Sequence, residues 1–314
     1  SRSGGAAVGR VVVPAALHCG MDAPPPGYLE AAVARRLDVT DDLAVFWLRP
    51  AEPLSFEPGQ YVTLAAPGAR GSIVKRAYSV VSAPHEPLVE LVIEHVADGA
   101  LTPLLWPLRE GDAVWVREKV VGQFVLDADR TLHVMACTVT GIAPFLSMIR
   151  AHAAALDAGT PVPEHRFLVI HGASHAAEHG PYRAELERLA ERSWVDTVPT
   201  VSRPWADPSW TGEVGRVEDV LRKHLDRIGW AADEVAGYAC GNPNMIETAL
   251  GILRRAGVDA AHLHEEKYFT IGEAGPSADA ASAPTPPLSP PPGRRSSGRG
   301  PGSVVLKTVP PKRS

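Results

Sequence analysis

Near Asp129 the chain changes its rhythm. Before that point apolar residues come in short runs cut by turn signals. After it, short apolar runs alternate with longer helical stretches. A chain built this way has to form two different layers. In the first half, residues 31–37, 43–48, 60–65, 73–81, 88–96, 114–117 and 124–126 read as strands. Asp41-Asp42, Pro58-Gly59 and Gly111-Asp112 supply the turns between them. Regular strand spacing with a single short helix, over 101–108, predicts a small antiparallel barrel across residues 31–129. In the second half, residues 132–137, 166–171, 194–201, 235–240 and 261–265 read as strands, with helices ending near 156 and over 182–192, 217–227 and 243–255. That alternation predicts a parallel α/β domain over residues 130–271. Ligands bind such sheets beyond the carboxyl ends of the strands, here the loops 138–141, 171–175, 201–203 and 240–243.

Composition bears on class and compartment. A chain of 314 residues with 45% apolar and 21% charged residues is expected to be globular with two domains. A net charge of −5 argues against nucleic acid as the main partner. Cys19, Cys137 and Cys240 stand too far apart for a disulfide framework, a zinc site or an iron–sulfur cluster. That pattern suits a reducing, cytoplasmic setting. No run of eighteen consecutive apolar residues occurs, so no membrane span is expected. Residues 1–30 read as a disordered extension, and 1–20 as upstream translation or an appended remnant before a natural start at Met21. Residues 272–314 hold ten Pro and six Lys/Arg against two acids. They read as a disordered basic tail, either a plain solvated extension or an electrostatic arm for an acidic partner.

Several short segments carry possible chemistry. Arg76-Ala77-Tyr78-Ser79 sits on an expected strand. Period two puts Arg76 and Tyr78 on one face. A guanidinium fork, a flat ring and a hydroxyl together suit a ligand with both a phosphate and an aromatic ring system. Gly99-Ala100-Leu101-Thr102 opens the short helix and could present backbone amides to an anion. Thr138-Val139-Thr140-Gly141 joins a strand to a helix, where a pyrophosphate would rest, although no GxGxxG is present. Arg203 and Arg216, with Ser202 beside the first, offer two cations near the end of the third strand of the second half, suited to the 2′-phosphate that separates NADPH from NADH. Cys240-Gly241-Asn242-Pro243 ends a strand and opens a helix, with Asn as cap and Pro in the first turn. Each has a purely structural alternative: edge strand, capped helix, plain turn, solvated arginine. His171, His175 and His179 recur every four residues, but Gly172 and Gly180 break any helix there, and no metal site is expected.

Taken in order, RAYS at 76, GALT at 99, TGIAPF at 140, SR at 202, GR at 215, CGNP at 240 and EKYF at 266 resemble the ferredoxin–NADP(+) reductases, most closely their bacterial form. The resemblance runs from about Ala31 to Phe269. It implies an FAD-binding barrel followed by an NADP-binding α/β domain. It implies that Arg76 holds the FAD pyrophosphate, that Tyr78 lies against the flavin, and that Ser79 bonds near its N5. By the same resemblance Gly99, Leu101 and Thr102 help bind FAD phosphates, Thr138 sits near the flavin, and Thr140 and Gly141 contact NADP phosphates. Cys240 and Gly241 would lie by the nicotinamide, and Tyr268 would cover the flavin. Ser79, Cys240 and Tyr268 are then the expected catalytic residues. Electrons would pass from NADP(H) through FAD to ferredoxin or flavodoxin. Two departures stand out: Val139 occupies a position usually Gly in the family, and 45 residues follow Phe269. The same fold could serve free flavin or an oxygenase, and Val139 leaves open a non-catalytic flavin- or nucleotide-binding regulator.

Overall fold

A computed structural model describes residues 23–267. The Pro-rich tail, Tyr268 and most of the expected N-terminal extension lie outside the described residues. Within that extension, Tyr28–Glu30 already belong to the first strand.

The first layer is a six-stranded antiparallel sheet made of β1 (Tyr28–Asp38), β2 (Leu43–Pro50), β3 (Tyr61–Pro67), β4 (Ile73–Ser79), β5 (Val89–Glu94) and β6 (Ala113–Arg117). Its order is β4-β3-β6-β1-β2-β5. The Val81 amide donates to the Glu90 carbonyl (2.9 Å), so the segment leaving β4 reaches β5 and curls the sheet into a barrel. Strand β2 is apolar from Leu43 to Leu48 because both its faces are covered there. Ala44, Phe46 and Leu48 point into the barrel. Leu43 and Val45 point the other way, into a second core shared with the following domain.

Two sequence expectations fail here. The helix over 101–108 is only the single turn α1 (Thr102–Leu105). Pro103 suits the first turn, but a second Pro at 107 cannot continue it. Residues 124–126 pair with no strand. Phe124 is buried because its ring fills the space between the layers, 5.8 Å from Phe145 and 5.7 Å from Tyr238.

The second layer is a parallel sheet of β7 (Leu132–Thr138), β8 (Arg166–Ala173), β9 (Val195–Val201), β10 (Glu213–Val214), β11 (Val235–Gly241) and β12 (Leu263–Lys267). The order is β10-β9-β8-β7-β11-β12. The two-residue β10 was too short to read from pattern. Helices α2 (Ala143–Asp157), α3 (Tyr182–Leu189), α4 (Val217–Ile228) and α5 (Pro243–Arg255) cover the sheet. The chain proceeds outward from β7 in one direction and returns to β11 on its other side. A crevice opens at such a reversal, beyond the carboxyl ends of the strands.

Helix α2 packs between sheet and barrel and is apolar on most sides; Phe145, Leu146, Met148 and Ile149 are fully buried. The helical stretch Val139–Asp157 is long and apolar enough by composition to cross a membrane, yet most of it is buried inside the protein. It also carries Arg150, a charge that only a protein core with partners accommodates. Arg150 bonds Glu90 on β5 (2.6 Å), both oxygens of Glu185 on α3 (2.7 Å each), and lies 3.4 Å from Glu86. Tyr182 donates to Glu90 (3.0 Å), and the Ser147 hydroxyl donates to the Ser82 carbonyl (2.8 Å). At the linker the Asp127 amide donates to the Tyr238 hydroxyl (2.7 Å). The Asp127 carboxylate accepts from His262 (2.8 Å) and His264 (3.0 Å).

Candidate functional site

The carboxyl ends of β7 and β11 meet at the reversal and interlock. Asn242 donates its amide to the Thr138 hydroxyl (3.0 Å). A side chain on Gly141 would collide with the Cys240 carbonyl, and one on Gly241, at φ +120°, with the Thr138 hydroxyl. Both glycines are therefore required by close approach of two backbones. Asn242 caps α5 as its sequence suggested, its side chain accepting from the amides of Asn244 (3.0 Å) and Met245 (3.3 Å). Val139 lies at φ +42°, the single described non-glycine residue with positive φ.

One residue that sequence reasoning left without a role joins barrel to sheet. Ser79, buried at the end of β4, donates its hydroxyl to Glu266 of β12. Glu266 is the register partner of Cys240 on the neighbouring strand, which in turn pairs with Cys137. Ser79 touches Glu266, and Glu266 is the register partner of Cys240, whose side chain is fully buried in the core between the layers. Burial pushes the Glu266 carboxyl up to about 7, partly offset by the bond from Ser79. The available signal was its place in the segment EKYF, but the bond spans 187 residues of sequence and no local pattern reveals it.

The rest of the barrel site divides. Arg76 is exposed, bonded to the Lys75 carbonyl (2.8 Å), and no described carboxylate pairs with it. An unneutralised guanidinium beside the half-buried Tyr78 ring fits a phosphate attached to a flat heterocycle. Burial raises the Tyr78 phenol above its ordinary range, with Arg76 opposing, so the ring stays neutral. In the GALT segment the side chains have partners within the protein. The Thr102 hydroxyl is occupied by Val96, donating to its carbonyl (2.9 Å) and accepting from its amide (3.1 Å). Leu101 is buried in the barrel core. A side chain on Gly99 would crowd the same Val96 carbonyl, 2.9 Å away. The side chains of this segment hold the loop together.

At the end of β9, Ser202 and Arg203 hydrogen-bond through their amides to Ala173 (3.1 Å) and Ser174 (3.0 Å). Gly215 bonds back to Val201 (2.9 Å), so Arg216 opens α4 beside them. Arg203 is exposed and Arg216 keeps 74% of its side chain in solvent, with Glu218 at 4.0 Å. Two cations stand at one strand end, with Glu218 at the edge of ion-pair distance from Arg216 and Asp219 accepting from the Arg216 amide (2.9 Å). His175 pairs with Glu178 (2.9 Å), and His171 and His179 pack against each other at 4.7 Å. Among the described residues no cluster of His, Cys, Asp or Glu is arranged to hold a metal.

An anion-ready β4 on a barrel, facing the reversal crevice of a parallel sheet, defines a reductase that binds a flavin and a nicotinamide nucleotide. Comparison with known proteins agrees. Residues 30–124 match the oxidoreductase FAD-binding domain and 135–250 the oxidoreductase NAD-binding domain. The chain is 34% identical over 217 residues to the flavodoxin/ferredoxin--NADP reductase of Escherichia coli strain K12, covering 65% of this chain and 81% of that one. It is 30% identical over 246 residues to the phenol 2-monooxygenase reductase component DmpP of Pseudomonas sp. strain CF600; this covers 77% of the chain but only 65% of DmpP. A ferredoxin NADP+ reductase of Neisseria gonorrhoeae with bound FAD and NADP has the same fold: TM-score 0.68, 23% identity, 78% of this chain and 100% of that one. The chain belongs to the ferredoxin–NADP reductase family, and its cofactors are FAD and NAD(P).

Proposed function

We propose that this reductase moves electrons between NADP(H) and a ferredoxin or flavodoxin. The observation that carries the reading is the contact of Ser79 with Glu266, the register partner of Cys240, beside the interlocked turns at 138–141 and 240–242. When bound, FAD would supply the hydride-accepting and single-electron chemistry of the reaction. Arg76 would hold its pyrophosphate and Tyr78 would pack against its ring. Ser79 would donate its hydroxyl hydrogen bond to the ionised Glu266, and the Glu266 carboxyl would take up or release a proton of its own near neutrality. Thr140 and Gly141 would seat the nucleotide phosphates, and Arg203 and Arg216, with Ser202, the 2′-phosphate. Cys240 and Gly241 would border the nicotinamide. Tyr268, outside the described residues, belongs to this proposal as the ring over the flavin.

The test is anaerobic mixing of the FAD-loaded protein with NADPH or NADH, followed by a ferredoxin or flavodoxin. NADPH should bleach the flavin band and the carrier should then be reduced. A protein that retains flavin but is not bleached by either nucleotide would sink the reading. A second reading, a reductase component of an oxygenase, is favoured by the similarity to DmpP. It predicts that the reduced protein passes electrons to an oxygenase component and not to ferredoxin or flavodoxin. A reducing cytoplasmic location goes with either reading and is checked by cell fractionation.

A further inference from the structure

The turn at Thr138–Gly141 is fixed from three sides. Thr138 is tied to Asn242 and Gly141 presses on Cys240. The third tie is to Val139, whose φ of +42° a β-branched residue does not hold unaided. That tie comes from His171 at the end of β8, where Nε2 lies 3.0 Å from the Val139 carbonyl. A carbonyl only accepts, so the imidazole donates from Nε2. The ring is buried to 1% exposure and its Nδ1 has no partner, which leaves this bond as the one polar contact of the side chain. His171 is itself braced. Its carbonyl accepts from His179 Nε2 (3.0 Å), and His179 stacks on Trp210 at 5.3 Å.

We infer that His171 is a positioning residue for nucleotide binding: it locks Val139 in the left-handed conformation and thereby aims the Thr140-Gly141 segment at the nucleotide phosphates. The inference rests on the proposed role of that turn. It makes His171 and Val139 a coupled pair. Where the position held Gly, the turn would need no restraint; with Val it does.

The experiment uses the FAD-loaded full chain and titrates NADP+ by calorimetry, with steady-state kinetics alongside. His171→Gln keeps an amide donor near the place of Nε2, and should bind NADP+ as the parent does. His171→Asn withdraws that donor and should weaken NADP+ about tenfold, raising KM for NADPH while kcat and the flavin spectrum hold. In the Val139→Gly background the same Asn substitution should cost nothing. Equal NADP+ affinity in His171→Asn and parent overturns the inference. So does a loss that persists undiminished in the Val139→Gly background, or a folded, flavin-loaded Gln variant that no longer binds. A parent protein that retains FAD but binds no NADP+ removes the role of the turn itself, a failure visible before any variant is made.

Discussion

Glu266 and Ser79 are coupled through one hydrogen bond, and each variant has a signed consequence. Above about pH 7 the carboxylate is ionised and accepts the Ser79 hydrogen bond; below it Glu266 carries a proton of its own. The rate of flavin reduction by NADPH should therefore show an inflection near pH 7. Glu266→Gln should abolish it. Ser79→Ala removes the interaction that lowers this carboxyl, so the inflection should move to higher pH. A Ser79→Ala profile unshifted from the parent's would mean the two groups are not coupled. At this scale the sequence was half legible. RAYS and CGNP single out Ser79 and Cys240 as candidates. Glu266 stayed silent because its significance comes from a strand pairing and a contact across two domains. Val139 was visible as an unusual residue, but its backbone angle was not. For Thr102 the sequence does not separate two roles, because a hydroxyl beside an anion site looks the same whether it serves a ligand or its own loop.

Helix α2 carries the interface between the layers through Arg150. Glu90, almost fully buried on β5, has Arg150 and Tyr182 as its side-chain partners. Arg150→Met would leave that carboxylate in apolar surroundings without a countercharge. The expected cost is about 3–5 kcal/mol of unfolding free energy, measured by denaturant titration of the flavin-loaded protein. Restoring neutrality with Glu90→Gln in the same chain should recover part of it; no recovery would assign the loss to packing alone. The elements themselves were read with end errors of a few residues where alternation was strong. The failures at 101–108 and 124–126 share a cause. Apolar runs signal burial, and only the neighbours decide whether the buried segment is helix, strand or neither. Pro107 and the Phe145–Tyr238 pocket made those decisions.

Across the whole molecule, acid sensitivity is concentrated in buried histidines. His133 is held neutral, its value lowered to about 3 by burial and by His165 beside it, and His152 to about 4. In the unfolded chain both would take up a proton near pH 6.5. The unfolded state then binds more protons than the folded one, so these groups withdraw stability as pH falls from about 6.5, at up to ~1.4 kcal/mol per pH unit each. His133→Phe should flatten the decline between pH 6.5 and 4 relative to the parent; an identical slope would show that His133 is not buried as a neutral ring. Asp127 works in the other window. Its value, lowered to about 2 by bonds from His262, Asp129 and His264 against the opposing effect of burial, adds stability above pH ~4 that is lost as pH falls toward 2.

The core shared by β2, β5, Phe124 and α2 has one more implication. Leu43, Val45, Val92 and Phe124 of the first layer share one core with Phe145 and Ile149 of the second. Cut apart near residue 129, each half would present a greasy wall to water and aggregate. Anyone grafting this unit onto another electron-transfer chain would have to transplant both sheets as a single cassette.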